Sequence, residues 1–176
     1  MKNGLRLSFL LGLLLLFVVP TTSAQSDKSK RKSPPDHITQ DVRGLEVNID
    51  YSQPSVKGRT IFGDLVKYDK IWRMGANEAT TFEVNKDCKI AGKKVPAGKY
   101  AMFAIPKESG NWTIILNKNW DQWGSYDYDE SQDLIRFEAN QEKMDELTET
   151  MTIRCSERGQ VDINWEYTHV YFGISY

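Results

Sequence analysis

Apolar residues recur at every second position along most of this chain, and that alternation constrains the fold more than any other feature. Leu45, Val47, Ile49 and Tyr51 alternate with Glu46, Asn48 and Asp50, and Phe82 and Val84 alternate with Thr81, Glu83 and Asn85. Trp112, Ile114 and Leu116 share one parity, as do Met151, Ile153 and Cys155. Val161, Ile163, Trp165 and Tyr167 form a further set, and His169 continues it. Successive side chains of a strand point to opposite faces, so these runs read as half-buried strands. Residues 100–105 are apolar at both parities, as a central strand covered on both faces requires. Turn chemistry separates the runs at Ala91-Gly92, Pro96-Ala97-Gly98, Ser109-Gly110-Asn111 and Arg158-Gly159. Residues 64–70 and 141–147 are the only stretches suited to a helical turn or two. With no βαβ rhythm and no internal repeat, the expected fold is all-β: an antiparallel β-sandwich, jelly-roll-like or barrel-like.

The N-terminus follows different rules. Lys2 and Arg6 precede an apolar run over residues 7–19, Pro20 ends it, and Thr22-Ser23-Ala24 places small residues before a cut after Ala24. That is the anatomy of a secretory signal peptide, and a bilayer span needs about 20 apolar residues, more than this run supplies. Residues 1–24 are therefore expected to be removed, and the protein is expected in the periplasm or the medium, with no membrane span in the mature chain. Residues 25–36, QSDKSKRKSPPD, hold no apolar residue other than proline and read as a disordered linker. Residues 37–176 are left as a single domain, and about 140 residues can bury enough apolar surface to fold unaided. Without the leader the chain carries 21 basic against 24 acidic residues, a balance unsuited to neutralising phosphates, so no nucleic-acid partner is expected.

Two stretches break the strand pattern. Residues 58–80 contain Trp72, Arg73, Gly75, Asn77 and Glu78; residues 117–132, NKNWDQWGSYDYDESQ, contain four large aromatic rings. A loop of that length in a compact domain is usually functional, and its rings gain by burial, so it is expected to pack on something outside itself. Arg73, Asn77, Glu78, Asn117, Gln122, Trp123, Tyr126 and Tyr128 are the candidate ligand-binding residues. Flat rings stack on the apolar face of a sugar, and amide, guanidinium and carboxylate groups bind its hydroxyls. The same residues would serve equally as a structural lid, with Arg73 and Glu78 paired to close one end and Trp72 plugging the core.

Other chemistries find less support. A triad needs a nucleophile, a base and an orienting group, yet the chain has only His37 and His169 and no G-x-S-x-G elbow. Asp121, Asp127, Asp129 and Glu130 crowd one loop without the spacing of a helix–loop–helix calcium site, and zinc would need more His or Cys ligands. No metal and no cofactor are expected. Glu78, Asp121, Asp127 and Glu166 are the carboxylates available for glycoside chemistry, which requires two of them across one cleft. Cys88 and Cys155 both fall on inward parities, and the sequence leaves open whether they pair or stay as separate buried thiols.

Three blocks, YSQPSVKGRTIFGDLVKYDKIWRMGANEATTF, KKVPAGKYAMFAIP and WTIILNKNWDQWGSYDYDE, occur in this order and resemble the domain of unknown function 2911 family. The resemblance covers roughly residues 36–176. It implies an extracytoplasmic location in a Gram-negative bacterium and an all-β domain, and it carries no established activity. The chain departs from the pattern at Gln53, where arginine is commoner, and at Lys67 and Asp69, within a segment where Pro-Tyr-Gly is commoner. The reading favoured by the residues is a non-catalytic domain that binds a small polar or saccharide-like ligand or a protein partner. A small hydrolase acting on envelope glycan, with Glu78 or Asp127 as acid or base, is the competing class, and a structural domain without a pocket is the third.

Overall fold

The computed structural model describes residues 27–176; the signal-peptide segment lies outside them. Nine strands form one antiparallel sheet: β1 (Pro35–Val42), β2 (Leu45–Ser52), β3 (Thr81–Val84), β4 (Cys88–Ile90), β5 (Lys93–Val95), β6 (Gly98–Ile105), β7 (Trp112–Asn117), β8 (Asp133–Cys155) and β9 (Gln160–Ser175). Their spatial order is β1-β2-β3-β6-β7-β8-β9-β4-β5. The sheet is not closed, because β1 and β5 remain its two edges. It folds over on itself through β8, whose first part pairs with β7 and whose remainder pairs with β9. The two halves then face each other as in a sandwich. Met151 N–H donates to the Pro54 carbonyl at 2.9 Å, and Ile153 N–H donates to the Tyr51 hydroxyl at 3.0 Å. Among the described residues, no helix is long and apolar enough to cross a membrane.

Local chemistry accounts for the connections. Arg43-Gly44 and Ala91-Gly92 have positive φ at both positions, which matches the two-residue hairpin turn compatible with strand twist. Gly159 closes the β8–β9 hairpin where only glycine fits, since a Cβ there would lie 2.4 Å from the Ile174 carbonyl oxygen. The core between the halves centres on Phe62, Trp72, Trp112 and Trp165; Trp72 stacks on Trp165 at 5.9 Å, and Phe62 meets all three indoles edge-on. β6 is covered on both faces. Tyr100, Met102 and Ala104 join that core, while Ala101 and Phe103 join a smaller cluster with Ala79 and Ile115 on the other side.

Several expectations need correction. Residues 141–147 continue β8 as extended strand rather than forming helical turns, because each finds a sheet position beside β9 or lies in the bulged stretch between paired positions. Residues 64–70 form turns instead of a helix. Tyr167 and His169 do not continue the buried face of β9. Glu166 adopts a left-handed conformation, φ 56°, at a register shift, and the buried parity switches from Val161, Ile163 and Trp165 to Val170, Phe172 and Ile174. The Glu166 carboxylate accepts hydrogen bonds from the Ile61 and Phe62 amides at 3.0 and 3.5 Å, which holds the bulge in place. The linker expected over residues 25–36 also differs in its described part: Lys28–Lys30 form a 3₁₀ turn capped by Asp27, and β1 already begins at Pro35. Composition registers the missing apolar core of this segment but not the polar partners that hold it.

Trp165→Ala removes the ring that contacts both Trp72 and Phe62 in a fully packed site. It is expected to lower stability by about 3–5 kcal/mol, as comparable aromatic truncations do. Denaturant unfolding monitored by far-UV circular dichroism measures this.

Candidate functional site

The two irregular stretches meet. The first is tied down at Trp72, whose amide and carbonyl both bond Ala104 of β6 at 2.8 Å. It then turns sharply. Met74 (φ 53°) and Asn77 (φ 58°) are left-handed, a conformation that costs a non-glycine residue about 1–2 kcal/mol. Gly75 passes so close to β2 that a Cβ would sit 3.0 Å from the Ser52 carbonyl oxygen. Thr80 holds the turn from inside, its hydroxyl donating to the Met74 carbonyl at 2.8 Å. The second stretch pairs with the outcome of that turn. Ala79 N–H donates to the Gln122 carbonyl and Gly124 N–H to the Asn77 carbonyl, each at 3.0 Å, so Glu78 and Trp123 lie opposite one another as a short antiparallel bridge.

The candidate residues divide by role. Asn117 is fully buried: its amide donates to the Asp129 carbonyl and the Asp133 carboxylate at 2.8 Å, and its oxygen accepts from the Asn119 amide at 2.9 Å. Tyr128 packs edge-on against Phe103, donates to Asp133 at 2.8 Å and accepts from Arg136 at 2.7 Å. Burial, with Asp133 beside it, pushes the Tyr128 phenol up to about 12. These two residues shape the loop. Trp123 and Tyr126 stay exposed, and Trp120 beside them is also largely exposed. The expectation that the loop rings pack is met by Tyr128, which joins the small cluster around Phe103. Gln122 is buried; its amide donates to the Asn119 carbonyl at 2.6 Å and its Oε1 has no partner among the described residues.

Arg73 and Glu78 do not pair. Arg73 Nε is buried without a hydrogen-bond partner among the described residues, and burial pulls its pKa down, with Tyr126 acting in the opposite sense. Glu78 is instead held by the N-terminal segment: Arg31 Nη1 reaches its two oxygens at 2.9 and 2.7 Å, and Lys28 lies 3.0 Å away. Burial works against the charged carboxylate, but hydrogen bonds from Arg31, its own backbone amide and Lys28 prevail and depress Glu78 to about 2.

Beside this junction lies a hollow of about 540 Å³. Glu78 and Ala79 come to it from the first stretch, and Trp120, Asp121 and Gln122 from the second. Strands β1, β2, β3 and β6 supply His37, Asp50, Tyr51, Thr81 and Lys99, and Lys28 and Asp36 complete the rim. Asp50 organises the strand side, lying 2.6 Å from His37 Nδ1, 3.1 Å from Lys99 Nζ and 3.2 Å from the Thr81 hydroxyl. Burial opposes its ionisation, yet the bonds from His37 and Lys99 hold its pKa below the ordinary value. Lys99 also sits 5.2 Å from the Trp120 ring centre. Of the candidates named from sequence, only Glu78 and Gln122 line this hollow. Trp120, one of the four loop rings read as a sugar-stacking surface, also lines it. His37, Asp50 and Lys99 were missed as ligand-binding candidates, although the outward parity of Asp50 between Ile49 and Tyr51 marked it as facing away from the core.

A second hollow, near the C-terminal strand, is bordered by Cys88. Burial pushes both Cys88 and Cys155 up to about 11, so neither is an activated nucleophile, and the two thiols are free. Among the described residues, no three His, Cys, Asp or Glu side chains are grouped to hold a metal ion. Gln53 donates to the Asp36 carboxylate at 3.1 Å, which places an amide where the commoner arginine would bring a charge beside the rim.

The fold and this junction define an open, antiparallel all-β domain with a polar, aromatic-walled hollow at one end. A family described as Protein of unknown function (DUF2911) matches residues 33–174, and the chain belongs to that family. No curated protein and no solved structure matches the chain.

Asn117→Ala strands the buried groups that Asn117 now satisfies and is expected to lower stability by about 1–3 kcal/mol. Tyr126→Ala, at a ring 85% exposed, should stay within about 0.5 kcal/mol in the same denaturant titration. Glu78 gives a pH signature. Its folded pKa of about 2 lies below the ordinary 4.5, so its stabilising contribution is full above the unfolded value and is lost as pH falls through the folded one. The margin of wild type over Glu78→Gln in thermal melts should therefore be constant above about pH 5 and shrink steadily toward pH 2.

Proposed function

We propose that this is an extracytoplasmic, non-catalytic binding domain for a small polar, saccharide-like ligand, held in the hollow between the strands and the aromatic loop. The carrying observation is that both irregular stretches border one hollow of about 540 Å³, within the usual range for a small-molecule site, and that Trp120 presents a half-exposed ring there. A sugar ring would stack on Trp120, while Asp50, Lys99, Gln122 and Asp121 offer acceptors and donors to its hydroxyls. A signal-peptide-like leader and the family resemblance support export.

The hydrolase alternative is weaker on the same geometry. Glu78 and Asp121 both border the hollow, but a general acid needs a raised pKa, and Glu78 is depressed to about 2 by its cationic partners. Asp127 does not border the hollow.

Isothermal titration against a panel of neutral and amino mono- and disaccharides tests the reading. At least one member should bind, and Trp120→Ala should weaken it at least about tenfold with little change in melting temperature, since the loss is one stacking contact at an exposed ring. No binding across the panel, together with a large drop in melting temperature for Trp120→Ala, would leave the ring a structural cover.

A further inference from the structure

Residues 28–33 run beside the junction of the two irregular stretches, where Lys28 borders the hollow, and are held there by specific groups. Arg31 places one nitrogen on both oxygens of Glu78, at 2.9 and 2.7 Å, and its guanidinium carbon is 5.7 Å from the Trp123 ring centre. Asn77, in its left-handed conformation, donates to the Ser33 carbonyl at 3.0 Å and fixes the direction of the chain. Only 22% of the Arg31 side chain is exposed, against 83% for Lys30 one residue earlier. We propose that Glu78 and Trp123 form a binding site for a guanidinium group, and that the chain fills it with its own Arg31, making residues 28–33 a displaceable strap beside the hollow.

Carboxylate and ring come from opposite sides of one backbone bridge, so their spacing is fixed before any cation arrives. A carboxylate supplies charge-assisted hydrogen bonds and an aromatic face supplies attraction to the delocalised cation; together they select guanidinium over a neutral amide. The strap itself is lightly held. Its 3₁₀ turn buries no residue, and its affinity rests on partly exposed ion pairs that salt weakens. The Asn77–Ser33 and Lys28–Glu78 contacts hold the segment as well, so an external guanidinium must compete against a tethered group with added contacts, and a basic peptide with several contacts does so best. Displacement would also withdraw Lys28, which both pairs with Glu78 and borders the hollow. The proposal is independent of the saccharide reading, which rests on Trp120 and the strand wall.

The test is ¹H–¹⁵N NMR on the protein lacking its leader. Amides of residues 28–33 should show heteronuclear NOE values close to those of β1 in wild type and fall to flexible values in Glu78→Gln and in Trp123→Ala, the second variant altering only an exposed ring. In the variant carrying Lys28→Ala and Arg31→Ala, Nα-acetyl-arginine amide should shift the Trp123 indole resonance saturably within tens of millimolar, the range that one partly exposed ion pair and one cation–π contact allow together. Wild type should need several-fold more, and the neutral isostere acetyl-citrulline amide should give no saturable shift. A strap equally ordered in both single variants overturns the proposal, as does an emptied site that ignores the arginine probe or answers citrulline equally well.

Discussion

Trp72 is the joint on which the molecule depends. Its indole stacks on Trp165 inside the fold, while its backbone is clamped to Ala104 of the doubly covered strand β6. Burying that ring forces the following residues to turn sharply at the sheet end, and the left-handed Met74 and Asn77 record the strain. Strain of this kind persists only where the surroundings over-determine it, and the bonds from Thr80, the close approach of Gly75 to β2 and the bridge to Trp123 do so here. The core thus positions the polar segment at the end of the sheet.

The consequence is a division of labour between neighbouring residues. Asn117 and Tyr128 are spent on shaping the long loop, each satisfied by Asp133. That scaffold leaves Trp120 and Trp123 presented at the end of the sheet rather than folded under it. Cations sit on both rings: Lys99 near Trp120, and Arg31 near Trp123. The carboxylates beside these cations, Asp50 and Glu78, both have depressed pKa values, so this end of the molecule is an array of formed ion pairs rather than a set of poised acids.

Much of the fold was legible because strand parity is a local property. The alternation around Ile49, Ile114 and Ile163, and the two-sided apolar run over residues 100–105, follow from the period-two geometry of an extended chain alone. Parity failed at Glu166, where a single left-handed residue inserts a half-step and sends Tyr167 and His169 outward. Nothing in the sequence near Glu166 marks that bulge; its cause is the distant pair of amides at Ile61 and Phe62 that its carboxylate caps. The polar stretch of β8 was illegible for a related reason, since its strand state depends on β9 and not on an apolar period of its own.

The sequence by itself determined the all-β class, the covered central strand, the hairpin turns and the two stretches that refuse the strand pattern, since each is written in contacts between near neighbours. Tertiary structure decided which polar groups meet. Glu78 was legible as a candidate, but its partner Arg31 lies 47 residues away in a segment whose composition reads as linker. Asp50, His37 and Lys99 converge from three different strands, where each looked like an ordinary solvated position. Pairing of this kind depends on sheet order and on the fold of β8, and both are set by the packing of the whole core rather than by any local run of residues.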